Sequence, residues 1–426
     1  MARNSDAVAH LDEALTELAT TDPTTDGSGL SALCRQLADH CVIGLGEATH
    51  GTREFFELKH RIVRQLVEEH GLRLFGIEAG FGRIQRVNDY VCDGDGTARA
   101  AVENMGFWTW KAESVREFVA WLREFNADRG PADQVQFYGY DVQSVDGSAT
   151  ALSEYLATVD PAYLDTVGDD LVDLADGPLR PETMDNPDEK LASLTALADS
   201  VTGRLDTYQQ SYAAITSQQA WRVAHHHASV VSDAIALARD RHAADDYTSA
   251  TALERRDRKI AESVTWILDQ EPHDQIALWA HNAHIKRGGM EWDEESIPTM
   301  GDYLDEWYGD NYYALGFDFH HGAFRALGDD GDGGRELREF TIDGPVNGAL
   351  SETLSATDYE LAFLDITEIN STDASKCVTS ECLLASIGAV FSQEDAANYW
   401  LPATPNSDFD GLVYVEETTA SRSLSD

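Results

Sequence analysis

Short apolar runs alternate along the chain with longer stretches in which apolar residues recur every three or four positions. This alternation is typical of an α/β domain with a mostly parallel central sheet flanked by helices. Between the first two runs, TREFFELKHRIVRQLVEEHG has helical periodicity and ends at Gly71, which favours a strand–helix–strand unit. The apolar runs are CVIGLGE, LRLFGIEAG, VQFYGYDVQ, QIALWAHNAH, YYALGFDFH and GLVYVEET, with YELAFLDI as a weaker addition.

The strand pattern disappears between residues 147 and 272, where long helical patterns replace it. We therefore predict a helical insertion or cap over 147–272. It interrupts an α/β catalytic core that is made of residues 30–146 and 273–426. Residues 1–29 are predicted to form a separate N-terminal helical segment.

The chain is strongly acidic, with 76 Asp and Glu against 31 Lys and Arg and a formal charge of -45 spread along its length. Such a surface suits a high-salt (halophilic) cytoplasm, because dissolved ions screen its self-repulsion. We find no Lys/Arg cluster that could supply a basic face for binding phosphates, which argues against nucleic acid as a partner.

Neither a membrane span nor a secretory signal is expected. No run approaches the roughly 18 apolar residues of a membrane span, and the N-terminus lacks the apolar segment of a signal peptide. We predict a cytoplasmic protein that does not bind membranes. Its five cysteines form no C-x-x-C pair and are expected to be free thiols.

Ionisable residues stand at or just after the ends of five of the strand-like runs. In open α/β sheets, ligands bind in the crevice beyond the carboxyl ends of the strands, so these groups should meet in one cleft. Imidazoles placed among carboxylates have pKa values that are pushed apart, which can poise one His as a base near neutral pH. The residues are Glu47, His50, Glu78, Asp141, His281, His284 and Asp318.

Two other groups of histidines favour a structural interpretation. His225 to His227 lie in a helical pattern, where neighbouring side chains point about 100° apart, and a solvated face is favoured over a site. His320 and His321 lie in a strand pattern, so they are expected to face opposite sides of the sheet.

The familiar nucleophile and phosphate motifs are missing from the sequence: there is no G-x-S-x-G, H-E-x-x-H or G-x-x-x-x-G-K-[ST]. If the chain is a hydrolase, water is therefore the expected attacking group. A His could take the proton from that water, a carboxylate could hold the imidazole in the right tautomer, and a second His could polarise the substrate oxygen.

Several segments, from about Val42 to Thr418, together resemble the erythromycin esterase family. They are GLGEATHGTREFF, FGIEAG, WTWKAESVREFVAWLREFN, YGYDVQS, RRDRKIAESV, WAHNAHI and FDGLVYVEET. The resemblance implies a carboxylic ester hydrolase that opens the lactone ring of a macrolide antibiotic, an activity of antibiotic resistance. It also implies that neither a metal nor another cofactor is needed.

The resemblance also implies roles for individual residues. His50, from the family's GE-x-x-H motif, would be the base that activates water, and Glu47 and Glu78 would orient it or tune its charge. His281 and His284, from the H-N-x-H motif, would lie near the substrate carbonyl.

Three further residues are candidates for contact with the substrate: Asp141, Trp108 and Trp110. The two tryptophans match a pair that is common in the family, but packing in the core is an equally expected role for them.

Two alternatives to a metal-free hydrolase of a small-molecule ester or lactone stay open. In the first, His50, Glu78, His281 and His284 bind Zn, Mn or Fe in a metal-dependent hydrolase. In the second, the same cleft binds a small molecule or haem without catalysis.

Overall fold

The computed structural model of the protein describes residue 11 and the ranges 14–25, 29–175, 179–244, 249–292, 295–331, 334–369 and 374–424. Its strands are β1 (Leu15–Glu17), β2 (Val42–Leu45), β3 (Leu74–Gly80), β4 (Gln136–Asp141), β5 (Ile276–Trp279), β6 (Met290–Trp292), β7 (Glu295–Ile297), β8 (Tyr312–Asp329), β9 (Arg335–Ile342), β10 (Leu361–Asp365), β11 (Cys382–Ala385), β12 (Trp400–Ala403) and β13 (Gly411–Thr418).

The main sheet has the strand order β1-β10-β13-β8-β2-β5-β3-β4, and β9 pairs with the outer part of β8. All neighbours from β13 to β4 are parallel, whereas β1, β10 and β9 join in antiparallel pairs. The central strands β2, β3 and β5 are buried along their whole length, which explains why each is a continuous apolar run in the sequence. The predicted mostly parallel α/β sheet is confirmed.

Helices cover both faces of the sheet. They are α1 (Ser31–Ala38), α2 (Arg53–Glu69), α3 (Phe81–Asp93), α4 (Ala98–Glu103), α5 (Glu113–Asn126), α6 (Asp146–Val159), α7 (Pro161–Ala175), α8 (Pro187–Thr207), α9 (Gln209–Ile215), α10 (Gln218–Ala244), α11 (Ala250–Gln270), α12 (Asn282–Ile285), α13 (Met300–Tyr308), α14 (Leu350–Leu354), α15 (Ala374–Thr379) and α16 (Pro405–Asp408).

The side chains of each central strand alternate between two hydrophobic cores. In β5, Ala277 and Trp279 belong to the core that contains α2 and α5, whereas Ile276 and Leu278 belong to the core that contains α11. This alternation follows from the two-residue period of a strand. The two faces of the sheet are therefore both closed by helices, and the ends of its strands are left to form a site.

The chain from α6 to α11 is helical, and α6, α7, α8 and α10 share a third hydrophobic cluster of their own. These helices occupy the segment for which the sequence predicts an insertion. The division of the chain into a core and an insertion stays a prediction.

The N-terminal segment differs from the expectation of helix. Leu15–Glu17 form β1, which pairs with β10 at the edge of the sheet, so the helical prediction is wrong for these residues. The first ten residues, 12–13 and 26–28 lie outside the described residues.

The five cysteines are free, as the sequence predicts. Over the described ranges, none of the helices is both long and apolar enough to cross a membrane.

Candidate active site

Three neighbouring strands of the sheet supply the central groups of the site. Glu47 and His50 follow β2, Glu78 lies in β3, and His281 follows β5, which pairs with both of the other strands. Parallel strands place their carboxyl ends at one edge, so residues far apart in sequence meet there.

The close approach of two chain segments requires glycine at position 46. A Cβ atom on Gly46 would lie 2.1 Å from Asn282 Oδ1. Asn282 in turn joins three elements: its backbone N–H donates to Glu47 O at 2.9 Å, its Nδ2 donates to Phe317 O at 2.6 Å, and its Oδ1 accepts from Phe317 N at 3.1 Å. This asparagine therefore fixes the 281–285 turn against β2 and β8.

His50 and Glu47 form the first pair of the site. His50 Nδ1 lies 2.7 Å from Glu47 Oε1, and the His50 side chain is 11% exposed while Glu47 is fully buried. Because Glu47 holds Nδ1, His50 Nε2 is the ring atom left to face a ligand. The arrangement is that of a base with its orienting carboxylate.

The second oxygen of Glu47 is held by two buried donors. Lys59 Nζ donates to Glu47 Oε2 at 2.5 Å and Trp279 Nε1 donates to it at 2.8 Å. Burial lowers the pKa of Lys59 to about 8, although the Glu47 carboxylate opposes this shift. Lys59 Nζ also lies 4.7 Å from the centre of the Trp279 ring, a cation–π contact. The carboxylate is thus fixed at both oxygens.

His281 lies beside His50 in a neutral state. The two ring centroids are 5.0 Å apart, and burial, aided by the nearby His50, lowers the pKa of His281 to about 3. Its Nδ1 accepts a hydrogen bond from Ala283 N at 3.1 Å, which places the ring proton on Nε2. Among the described residues that buried Nε2 makes no close hydrogen bond, although the backbone of Ala48 lies near enough to the ring to oppose the lowering of its pKa.

Glu78 supports the 281–285 turn rather than His50 directly. Its Oε2 accepts from the backbone N–H of His281 at 3.0 Å, and its Oε1 accepts from Arg256 Nη2 at 2.6 Å. Burial alone would raise the pKa of Glu78, but His284 and Arg256 hold it well below its usual range. Glu78 is therefore a carboxylate that fixes the turn.

Asp141 shares Arg256 with Glu78. Its Oδ2 accepts from Arg256 Nη2 at 3.0 Å and from Gln143 Nε2 at 2.9 Å, and Oδ1 lies 3.3 Å from Arg256 Nε. The Asp141 side chain is fully buried. Its direct contact with a substrate stays a prediction, and the structure shows it holding the guanidinium.

His284 is a mostly buried imidazole with a carboxylate close to each of its ring nitrogens. Its Nδ1 lies 2.9 Å from Asp257 Oδ1, and its Nε2 lies 3.3 Å from Glu78 Oε1 and 2.8 Å from Arg256 Nη1. Burial lowers the pKa of His284, but Asp257 and Glu78 outweigh it and raise the pKa to about 10. Nε2 could accept a hydrogen bond from Arg256 only if the ring were neutral. The attraction of the Asp257 and Glu78 carboxylates is stronger than this contact and favours the imidazolium.

Trp110 packs against the centre of the site. Its ring centroid lies 6.0 Å from that of His50, and its Nε1 donates to Glu78 O at 3.1 Å. Trp108 is half-buried, and its Nε1 has no partner among the described residues. Contact of either tryptophan with a substrate stays a prediction.

Several residues that the sequence singled out lie apart from this network. Asp318 is buried in β8, where its Oδ1 accepts from Ala385 N at 3.4 Å, and burial raises its pKa to about 7. None of its described contacts is with His50, His281 or His284, and its place in the cluster stays a prediction.

The expectation for the three consecutive histidines also needs correction. His225 pairs with Asp206, but His226 and His227 are buried, and burial lowers the pKa of each to about 3. His226 stacks on Trp266 with ring centroids 3.9 Å apart. A solvated face is therefore wrong for two of the three: His226 packs on Trp266, and both ring nitrogens of His227 lie within hydrogen-bond distance of other side chains.

Sequence reasoning assigned no role to Lys59, Arg256, Asp257, Trp279 or Asn282. The signal for two of them was present, since RRDRKIAESV contains Arg256 and Asp257 at the start of a helical pattern. Their burial depends on carboxylates and imidazoles from other parts of the chain, which no local pattern shows.

The contacts of Glu78 and His284 do not favour a metal centre. Both oxygens of Glu78 and both ring nitrogens of His284 already contact other charged or polar groups of the protein. Within the described ranges, the one group of three ligand atoms within 4.8 Å of one another lies elsewhere.

A family model described as erythromycin esterase matches residues 67–418. This range includes Glu78, His281 and His284 and begins after Glu47 and His50. The chain is 25% identical to erythromycin esterase type II of Escherichia coli over 362 residues, which cover 80% of this chain and 84% of that protein. It is 24% identical to the putative hydrolase YbfO of Bacillus subtilis over 338 residues, which cover 76% and 74%.

Two solved structures share the fold. A succinoglycan biosynthesis protein superposes with a TM-score of 0.82 at 21% identity and covers 99% of both chains. A mutant of the erythromycin esterase EreC in its open conformation superposes with a TM-score of 0.74 at 17% identity, covering 97% of this chain and 99% of that one.

Proposed function

This chain belongs to the erythromycin esterase family, whose model matches residues 67–418, and we propose that it is a carboxylic ester hydrolase that uses water as the nucleophile. The proposal rests on the meeting of three groups that follow two neighbouring strands, Glu47 and His50 after β2 and His281 after β5. A carboxylate-bound imidazole, His50, lies beside a second, neutral imidazole, His281, in a buried setting.

His50 acts as the general base. Because Nδ1 is bound to Glu47, Nε2 accepts a proton from a water molecule as the oxygen of that water attacks the carbonyl carbon of the ester. The tetrahedral intermediate then collapses, the bond to the alkoxy oxygen breaks, and His50 returns its proton to that leaving oxygen. The products are a carboxylic acid and an alcohol, which in a lactone are two ends of one opened ring.

His281 polarises the carbonyl oxygen. Its lowered pKa keeps the ring neutral, and the hydrogen bond from Ala283 N leaves the proton on Nε2. A neutral imidazole can donate this proton in a hydrogen bond to the oxygen on which negative charge develops. The buried Nε2, which makes no close hydrogen bond within the described part of the chain, is the donor that this step requires.

The surrounding ion pairs hold these two imidazoles in position. Lys59 and Trp279 fix Glu47, while Glu78, with Arg256 behind it, fixes the backbone of His281. In the same turn, the His284 imidazolium pairs with Asp257. These groups set the orientation and charge of the site before the reaction begins. Dipoles and charges that are already fixed can stabilise developing charge without reorganising.

We place the substrate among small-molecule esters and lactones, with a macrolactone as the first candidate, because the relative from Escherichia coli is an erythromycin esterase by name. We also assign substrate contacts to Trp110, whose ring lies beside that of His50, and to Trp108 and Asp141. The formal charge of -45 supports a protein of a salt-rich cytoplasm.

The test is to incubate the protein at high salt with simple aryl esters, lactones and macrolides in water enriched in oxygen-18. We expect a product heavier by one water molecule, with the label in the new carboxylate. Saturable binding without turnover would instead favour a binding protein. Activity that chelator abolishes and an added metal restores would favour a metal-dependent hydrolase.

A further inference from the structure

A second group of ligand-type side chains lies on β8 and β13, outside the candidate active site. His320 and His321 are consecutive in β8, and Glu416 lies in the neighbouring parallel strand β13. The two histidine Nδ1 atoms are 3.0 Å apart. Glu416 Oε1 lies 3.5 Å from Nδ1 of His320 and 3.8 Å from Nδ1 of His321. Three ligand atoms from two strands thus surround one point.

The convergence of two consecutive side chains is unusual for a strand, where neighbours point to opposite faces. The sequence-based expectation that His320 and His321 face opposite sides is therefore wrong. The next residue, Gly322, has φ +127°, and a Cβ atom on it would lie 2.5 Å from Thr418 N in β13. The chain therefore leaves regular strand geometry at the point where the two imidazoles meet.

The spacing of the three atoms matches a metal coordination shell. Zinc binds His nitrogen and carboxylate oxygen at about 2.0–2.2 Å, so two ligands of a tetrahedral ion are about 3.4 Å apart and two adjacent ligands of an octahedral ion about 3 Å. The observed separations run from 3.0 to 3.8 Å. We propose that His320, His321 and Glu416 bind a divalent transition-metal ion, with zinc as the best match to these ligands.

Hydrogen bonding alone accounts for the cluster less well. Two neutral imidazoles can share one proton between their Nδ1 atoms, but the distances of 3.5 and 3.8 Å from Glu416 Oε1 are too long for hydrogen bonds. A cation at the centre gives all three atoms a partner.

The surroundings of Glu416 also suit a ligand. The buried Tyr414 donates its hydroxyl proton to Glu416 Oε2, which orients the carboxylate and leaves Oε1 towards the histidines. Such partners behind a ligand are typical of metal sites. The side chains of His320, His321 and Glu416 are 23%, 34% and 26% exposed, so an ion and a completing water molecule can reach them.

The position of the site gives it a structural role. Beyond the three ligands, both strands continue to the loop that carries His50: Arg325 N and Ser421 N each donate to Gly51 O, at 3.1 and 2.8 Å. An ion that ties β8 to β13 would therefore stiffen the support of this loop without contacting the substrate. This inference does not depend on the proposed reaction.

The experiment is a calorimetric titration of the full-length protein, treated with chelator and dialysed into phosphate-free buffer, with zinc chloride. We expect one zinc ion per chain, and we expect the dissociation constant to rise at least about tenfold in His320→Asn and in His321→Asn. Zinc should also raise the melting temperature of the wild type but not of these two variants. Circular dichroism checks that each variant is folded.

Two control variants locate the ion. His225→Asn removes another partly exposed histidine that pairs with a carboxylate, and His50→Asn removes a histidine of the candidate active site; both should bind zinc like the wild type. Absence of one-to-one binding to the wild type would overturn the proposal. So would unchanged binding by both His320→Asn and His321→Asn, or loss of binding in His50→Asn with retention in His320→Asn.

Discussion

His50 Nδ1 and Glu47 Oε1 are joined by a hydrogen bond of 2.7 Å at the end of β2. Because the other oxygen of Glu47 is held by Lys59 and Trp279, the carboxylate cannot turn away from the imidazole. The relationship fixes which nitrogen of His50 is bound by the protein and which is free for water.

Replacing Glu47 by Gln should lower both activity and stability. The amide cannot stabilise a protonated His50 as the carboxylate does, so kcat should fall at least about a hundredfold. Lys59 would also be left as an uncompensated buried cation, which should lower the free energy of unfolding by about 3 kcal/mol. Ester turnover and urea unfolding measure the two effects.

The control is Glu103→Gln, which breaks an exposed pair with Arg99 on α4. It should change the free energy of unfolding by less than about 1 kcal/mol and leave turnover unaltered. Comparable losses in the two variants would show that the Glu47 contact has no special role.

Replacing His281 by Asn should reduce kcat about a hundredfold to a thousandfold with little change in KM. The reason is that a donor to a developing negative charge acts mainly in the transition state. Steady-state kinetics with an activated aryl ester separate the two constants. A rise in KM at unchanged kcat would instead assign His281 to substrate binding.

His284 should make the protein less stable as the pH rises. Its pKa is raised to about 10 in the fold, against 6.5 for an ordinary His, so its contribution is fully present below about pH 6.5. That contribution is lost as the pH rises towards 10. In His284→Asn, the free energy of unfolding should be lower near pH 6 and fall less between pH 7 and 9.5.

His281 should make the protein less stable as the pH falls below neutral. Because its pKa in the fold is lowered to about 3, the unfolded chain binds a proton between about pH 6.5 and pH 3 that the folded chain does not. Stability therefore falls as the pH drops through this range.

A stability profile of His284→Asn parallel to that of the wild type from pH 6 to 9.5 would contradict the assigned charge of His284.

The acidic surface should make stability depend on salt. With a formal charge of -45, self-repulsion is screened over about 3 Å in 1 M salt but over about 10 Å in 0.1 M salt. The melting temperature should therefore rise by several degrees when sodium chloride is raised from about 0.1 M to about 1 M. Equal melting temperatures would mean that the charges are too well dispersed to matter.

The sequence could predict the sheet and the meeting of its strand-end residues because both follow from local patterns. Continuous apolar runs become strands β2, β3 and β5, and parallel strands bring their carboxyl ends to one edge. His50 and His281 therefore come within 5.0 Å of each other between ring centroids although 230 residues separate them.

The charged supports of the site could not be predicted in the same way. Lys59 and Arg256 lie on helices, where a charged residue is normally assigned to the solvent side, yet both are buried. They are kept inside by carboxylates at or near the ends of three strands, Glu47, Glu78 and Asp141. Such pairing is a tertiary property, as is the break in strand geometry that brings His320 and His321 together.

If His50 is the base that activates water, its replacement should lower kcat/KM for an ester substrate, which is measured in the wild type, His50→Asn and the surface control His225→Asn. We expect His50→Asn to lose about a hundredfold to ten-thousandfold in kcat/KM while its folding and the activity of the control are unchanged. Equal rates for the wild type and His50→Asn would contradict the account.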